Sequence, residues 1–163
     1  MQTFYYTDPG KVRSHNEDSV IICNNDNSEF ILAVADGMGG HKAGEVASAI
    51  ATNHIKESFY AKETLGTKED AINWLRQIVT EINELIFDYA KNNPESKGLG
   101  TTLVIAIKTN DYILYGNIGD SSGFVIKNNT MFKVTKDHTY VNMLLNNGQI
   151  SEESAKKHPG KIF

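Results

Sequence analysis

Two short segments hold the residue types that could do chemistry. Arg13-Ser14-His15-Asn16-Glu17-Asp18 offers one guanidinium and two carboxylates, and Asp36-Gly37-Met38-Gly39-Gly40 adds a third carboxylate followed by a glycine-rich turn. Carboxylate oxygens are hard ligands for Mg²⁺ or Mn²⁺, and a glycine carbonyl can supply another oxygen where no side chain blocks approach. Asp36 and Gly37 therefore form the centre of a candidate metal site, which Glu17 and Asp18 could join directly or through ordered water. Arg13 stands four residues before Glu17 and suits a bidentate grip on phosphate oxygens while cations hold the reactive side. Asp120, on the turn Gly119-Asp120-Ser121, is a further carboxylate source.

Each piece alone has a blander reading. An isolated Asp-Gly is most often a turn, and an Arg and a Glu four residues apart are most often a surface ion pair of small energetic value. Their joint occurrence argues for a site. Two rival glycine motifs fail on named residues. A dinucleotide fingerprint counted from Gly37 finds Gly39 in third place but Lys42 in sixth. A P-loop counted from Gly39 finds Gly44 in place but Glu45 and Val46 where Lys and Ser/Thr are needed. The histidines are dispersed and Cys23 is the single cysteine, so no zinc pattern and no intramolecular disulfide arises.

The elements that must position these residues follow from periodicity. Thr3 to Thr7 is aromatic and β-prone, and Asp8-Pro9-Gly10 closes it as a turn. Ser19 to Cys23 reads as a strand. Phe30 to Ala35 reads as a strand buried on both faces that delivers Asp36 to its end. Residues 42 to 60 switch to helical period with a stripe of Val46, Ala47, Ile50, Ala51, Ile55 and Phe59.

Thr67 and Asp70 resemble a capping box opening a second helix, whose stripe runs Ile72, Leu75, Ile78, Val79, Ile82, Leu85, Ile86 and Tyr89. Trp74 and Phe87 fall off that stripe and read as a candidate partner surface. Strands are expected at residues 103–107, 112–116, 123–127 and 130–135, with Asn128-Asn129 as a hairpin turn. Two short helices follow, at residues 139–146 and 151–157. Strands, two long helices and strands again make an α+β order.

The chain of 163 residues suits one domain, residues 1–163. A net charge of −4 speaks against a general nucleic-acid binder and a polybasic membrane patch. No apolar run approaches the roughly 18 residues of a membrane span, and the N-terminus lacks a signal-peptide pattern, so a cytoplasmic location is expected.

The sequence resembles the metal-dependent serine/threonine protein phosphatases of the PP2C type, the compact bacterial branch in particular. The resemblance rests on residues 7–18, Val34 to His41 with Gly44-Glu45 and Ala47-Ser48, Gly100-Thr101-Thr102, residues 116–121, residues 135–139, and residues 145–155 with His158-Pro159, all in family order. It implies a β-sandwich flanked by helices with a metal cluster at one end. In such enzymes the counterpart of Asp36 bridges two cations, Mn²⁺ or Mg²⁺, and the Gly37 carbonyl binds one of them. The counterpart of Glu17 contacts metal-bound water, Arg13 binds the substrate phosphate, and Asp120 is associated with a third, weaker metal. The implied reaction is hydrolysis of phosphoserine or phosphothreonine in a phosphoprotein by in-line attack of metal-activated water.

Departures from the family pattern set further expectations. Ser122 stands where many relatives carry Arg, and Met38 where some carry a proton-donating His; Met38 reads as packing at the site's edge. His41 reads as a cap-adjacent or solvent-facing side chain, and Asp137-His138 as a support for the loop after the last strand. Two later carboxylate-bearing segments of the family are absent, so the sandwich and the ligand set are expected to be incomplete at the C-terminus. Three readings follow: a portion of a longer active phosphatase, a catalytically inactive module for phosphoprotein binding or regulation, or a chain that completes its site by self-association.

Overall fold

The computed structural model describes residues 1–39 and 43–157. The expectations placed on Gly40, His41, Lys42 and residues 158–163 lie outside the described residues. Strands β1 (Asp18–Asn24) and β2 (Phe30–Met38) form a hairpin, and helices α1 (Ala43–Tyr60) and α2 (Lys68–Asn92) follow. Then come the two-residue β3 (Gly100–Thr101), β4 (Leu103–Lys108) and β5 (Ile113–Ile118). The hairpin of β6 (Phe124–Lys127) and β7 (Thr130–Lys133) precedes the short helices α3 (Tyr140–Asn146) and α4 (Glu152–Lys157). The α+β class holds. An antiparallel sheet runs β1-β2-β4-β5, with β3 pairing the far end of β2, and β6-β7 make a separate two-stranded sheet.

Both long helices cover one face of the large sheet. Ile31, Ala33 and Ala35 of β2 and Leu103, Ile105 and Ile107 of β4 pack with Ala51, Ile55 and Phe59 of α1 and with Trp74, Ile78 and Ile82 of α2. β2 was expected to be buried on both faces, but its burial alternates, and Val34 on the outer face is 46% exposed. The physical reason is that helices pack on one side only, so the period of two reappears in a strand whose composition hides it. The second sheet begins on the outer side: a Cβ placed on Gly123, just before β6, would lie 3.5 Å from a Val104 methyl.

Local chemistry fixes most element ends. The Thr67 hydroxyl accepts the Asp70 N–H while the Asp70 carboxylate accepts the Thr67 N–H, completing the expected capping box of α2. Asn128 and Asn129 both take positive φ, 51° and 60°, as a tight hairpin turn requires. Residues 3–7 form no strand. They lie instead across the outer face of β1 and β2, bordering a cavity of about 460 Å³ with Val20, Ile22, Leu32 and Val34.

Four side-chain assignments change. Trp74 is core, 8% exposed, rather than part of a partner surface, whereas Phe87 is exposed. Val46 and Ile50 of α1 are only half-buried, and Leu85 of α2 is exposed. In their place Ser48 and Thr52 are fully buried, because their hydroxyls find partners at the sheet.

A buried carboxylate ties the end of the sheet distant from Asp36. Glu29, 5% exposed, accepts hydrogen bonds from the Leu65 N–H, the Thr64 hydroxyl and the Asn25 amide. It thereby joins the β1–β2 turn to the α1–α2 connection. Among the described residues no helix is long and apolar enough to cross a membrane. Replacing Glu29 with Ala strands these donors and is expected to lower stability by about 3 kcal/mol, read from urea unfolding. A loss below about 0.5 kcal/mol would show that the carboxylate carries no such tie.

Candidate metal centre

The carboxylates meet because of register. Asp18 pairs directly with Asp36 across the β1–β2 ladder, which places both side chains on the same, outer face of the sheet. Asp36 therefore sits inside β2, two residues before its end at Met38, rather than at the strand end as expected. The strand continues because β3 pairs with Gly37 and Met38 and prolongs the ladder.

Partial desolvation, then the charge of Asp18 and a hydrogen bond with it, hold the Asp36 carboxyl above the ordinary aspartate range; Asp120 adds to this and Arg13 opposes it. Arg13, Asp18, Asp36 and Asp120 thus share one electrostatic neighbourhood, with three negative charges against one positive. Among the described residues Arg13 makes no close ion pair. No set of three or more acidic, His or Cys side chains among the described residues is already closed around an ion position. The nucleus is the Asp18–Asp36 pair, and its surplus negative charge fits a divalent cation. Register sets the Asp36 and Asp18 carboxylates side by side, and the charge of Asp120 reaches Asp36.

Glu17 is positioned by its own backbone. Its carbonyl accepts the Gly37 N–H at 3.1 Å and the buried Ser48 hydroxyl at 2.6 Å. Its carboxyl lies against the first turn of α1, where a Cβ on Gly44 would come 2.9 Å from the Glu17 Cδ. A helix N-terminus favours negative charge there. One turn further along α1, the Ser19 and Thr52 hydroxyls meet at 2.7 Å. Gly37 and Gly44 touch backbone to backbone, since a Cβ on Gly37 would fall 2.1 Å from the Gly44 carbonyl oxygen. Glycine is the one residue that permits this approach.

Met38 is half-exposed beside Gly100 of β3, at the edge of the site as expected. The His138 N–H donates to the Gly119 carbonyl at 2.8 Å and fastens the segment after β7 to the Asp120 turn. Ser48, Thr52 and Thr102 were given no role from sequence. A signal existed for the first two: Gly44, Ser48 and Thr52 repeat every four residues down one helix face, a small and hydroxyl-bearing stripe that a purely apolar reading skips.

Comparison with known proteins agrees with this geometry. The Protein phosphatase 2C family profile matches residues 11–156. The serine/threonine phosphatase stp of Listeria welshimeri is 41% identical over 99% of this chain and 64% of its own. The crystal structure of the serine/threonine phosphatase Stp1 from Staphylococcus aureus matches with a TM-score of 0.83 at 42% identity, over 96% of this chain and 61% of that one. The catalytic domain of the phosphatase PstP, in complex with 2 manganese ions, matches with a TM-score of 0.71 at 33% identity, over 91% of this chain and 60% of that one. The chain belongs to the protein phosphatase 2C family. It spans just under two thirds of the length of these relatives.

Asp36→Asn separates two effects of the carboxylate pair. It is expected to weaken Mn²⁺ binding at least tenfold, read by titration calorimetry. In EDTA-treated protein it is expected to raise the thermal midpoint at neutral pH. The sign follows from the raised native pKa: the folded state holds the proton more tightly than the unfolded one, so ionisation costs stability at neutral pH. That cost is full above the raised native value and disappears as pH falls below the ordinary aspartate value. The stabilising effect of Asn should vanish with it. A mutant that melts at or below wild type at neutral pH would contradict the assigned repulsion.

Proposed function

We propose that the chain carries the phosphate-binding and principal cation-binding part of a metal-dependent phosphatase acting on phosphoserine and phosphothreonine in proteins. The observation that carries this reading is the Asp18–Asp36 pair with Arg13 and Asp120 around it, on a chain whose family is protein phosphatase 2C. The manganese ions of the related PstP structure support Mn²⁺ or Mg²⁺ as the cation.

Asp36 and Asp18 would hold the cation with the Gly37 carbonyl. A bound divalent cation supplies Lewis acidity and water activated for attack on phosphorus. The work of the chain is to fix geometry and charge. Arg13, an exposed guanidinium in the same neighbourhood, would grip non-bridging phosphate oxygens and align the ester for in-line displacement. Glu17, held through its carbonyl by Gly37 and Ser48, would orient water beside the cation. The outward-facing strand surface leaves the site open, which suits a phosphorylated side chain presented by a protein rather than an enclosed small molecule.

The test is hydrolysis of p-nitrophenyl phosphate and of a phosphothreonine peptide by the purified chain with Mn²⁺, beside EDTA-treated protein and Asp36→Ala. Metal-dependent turnover that falls at least a hundredfold in Asp36→Ala is expected. Turnover unchanged in the mutant, or soluble, folded protein that binds neither Mn²⁺ nor the phosphothreonine peptide, would overturn the reading for this chain. Arg13→Ala is expected to raise KM for the phosphopeptide about tenfold, the size of a lost charge-assisted pair, with a smaller effect on kcat.

A further inference from the structure

Thr102 touches no cation ligand side chain, yet it sits where two parts of the site join. The residue is 3% exposed. Its hydroxyl accepts the Asp36 N–H at 3.1 Å and lies 2.7 Å from the Ser121 hydroxyl. Its own N–H donates to the Asp36 carbonyl at 2.9 Å, so Thr102 grips both backbone polar groups of Asp36. Ser121 is the residue after Asp120, and Gly119, the residue before it, packs on the same side chain. A Cβ on Gly119, whose φ is +90°, would fall 2.7 Å from the Thr102 methyl and 2.9 Å from its Cβ. The Asp120 turn is therefore held against Thr102 on both sides, by a methyl contact before the aspartate and a hydroxyl pair after it. Asp120 is itself exposed and has no hydrogen bond of its own among those described. Its charge nevertheless reaches Asp36.

We propose that Thr102 is a positioning residue that sets where the Asp120 carboxylate stands relative to Asp36, and thereby how tightly the site holds a divalent cation. The inference rests on the metal-dependent reading above and names the residue through which the turn is coupled to β2. One hydroxyl oxygen bridges the backbone of the principal ligand and the loop of the marginal one. Thr102 therefore ties the Asp120 turn to the backbone of Asp36, whose place opposite Asp18 is set by the β1–β2 register.

The test is an electron paramagnetic resonance titration of Mn²⁺ into the whole chain and its variants. Thr102→Val keeps a methyl against Gly119 and removes the hydroxyl; Thr102→Ser does the reverse. Thr102→Val should weaken Mn²⁺ binding about tenfold, the low end of what a lost outer partner costs a metal site, while Thr102→Ser retains most of the affinity. Asp120→Asn should weaken binding likewise, and Thr102→Val combined with it should weaken it no further, because both act through one carboxylate. Ser121→Ala, which leaves the buried position intact, should reproduce the Thr102→Val effect and keeps the test usable if Thr102→Val fails to fold.

Wild-type affinity in Thr102→Val or Ser121→Ala, or losses that multiply in the double variant, would overturn the positioning role. A wild-type chain that binds no Mn²⁺ would overturn the metal reading itself. The two failures are thus distinct.

Discussion

The site depends on a contact with no side chains in it. At Gly37 and Gly44 the end of β2 and the first turn of α1 meet through bare backbone, and the Glu17 carbonyl closes the triangle by accepting from both Gly37 and Ser48. Three segments far apart in the sequence are thereby held at hydrogen-bonding distance. Any Cβ at Gly37 would enter occupied backbone, and backbone, unlike the end of a flexible side chain, has nowhere to move. The chain gives up helix-forming propensity at Gly44 to obtain this approach.

Around that contact the protein accepts electrostatic conflict. Pairing Asp18 with Asp36 puts like charges opposite one another in a ladder, an arrangement that ordinary sheets avoid. Among the described residues only Arg13 opposes it, and nothing in the core depends on it, since the apolar packing lies on the other face. The division is spatial: the helix-facing side of β2 builds stability, and the outer side spends some of it on a charge arrangement suited to a cation. Thr101 and Thr102 then saturate the Asp36 backbone, so the carboxylate stands on a strand that has little freedom to tilt away.

The residues with ionisable side chains were legible in the sequence because their types and order are unusual. Asp36, Gly37, Glu17, Asp18 and Arg13 were each named from sequence, and register brings the first four together. Thr102 was not legible, because a buried threonine looks like any surface threonine until its partner is known, whereas Ser48 and Thr52 lie on a helix stripe that does show in the sequence. Trp74 was misplaced for a related reason. The stripe of α2 is centred on Ala71, Trp74, Ile78 and Ile82, so a small residue that hydrophobic counting overlooks marks its true axis. The strand end at Asp36 was set two residues early because pairing by the two-residue β3 cannot be read from so short a run.

Glu29 gives the fold a mechanical asymmetry. By joining the β1–β2 turn to the α1–α2 connection it fixes the start of β2, while Gly37 and Gly44 fix the strand's other end about 25 Å away, at the usual rise per residue. A strand pinned at both ends and hydrogen-bonded along both sides has no low-energy sliding motion. The sheet-borne carboxylate pair is thus the fixed reference against which Arg13 and the Asp120 turn, both outside β2, take their places.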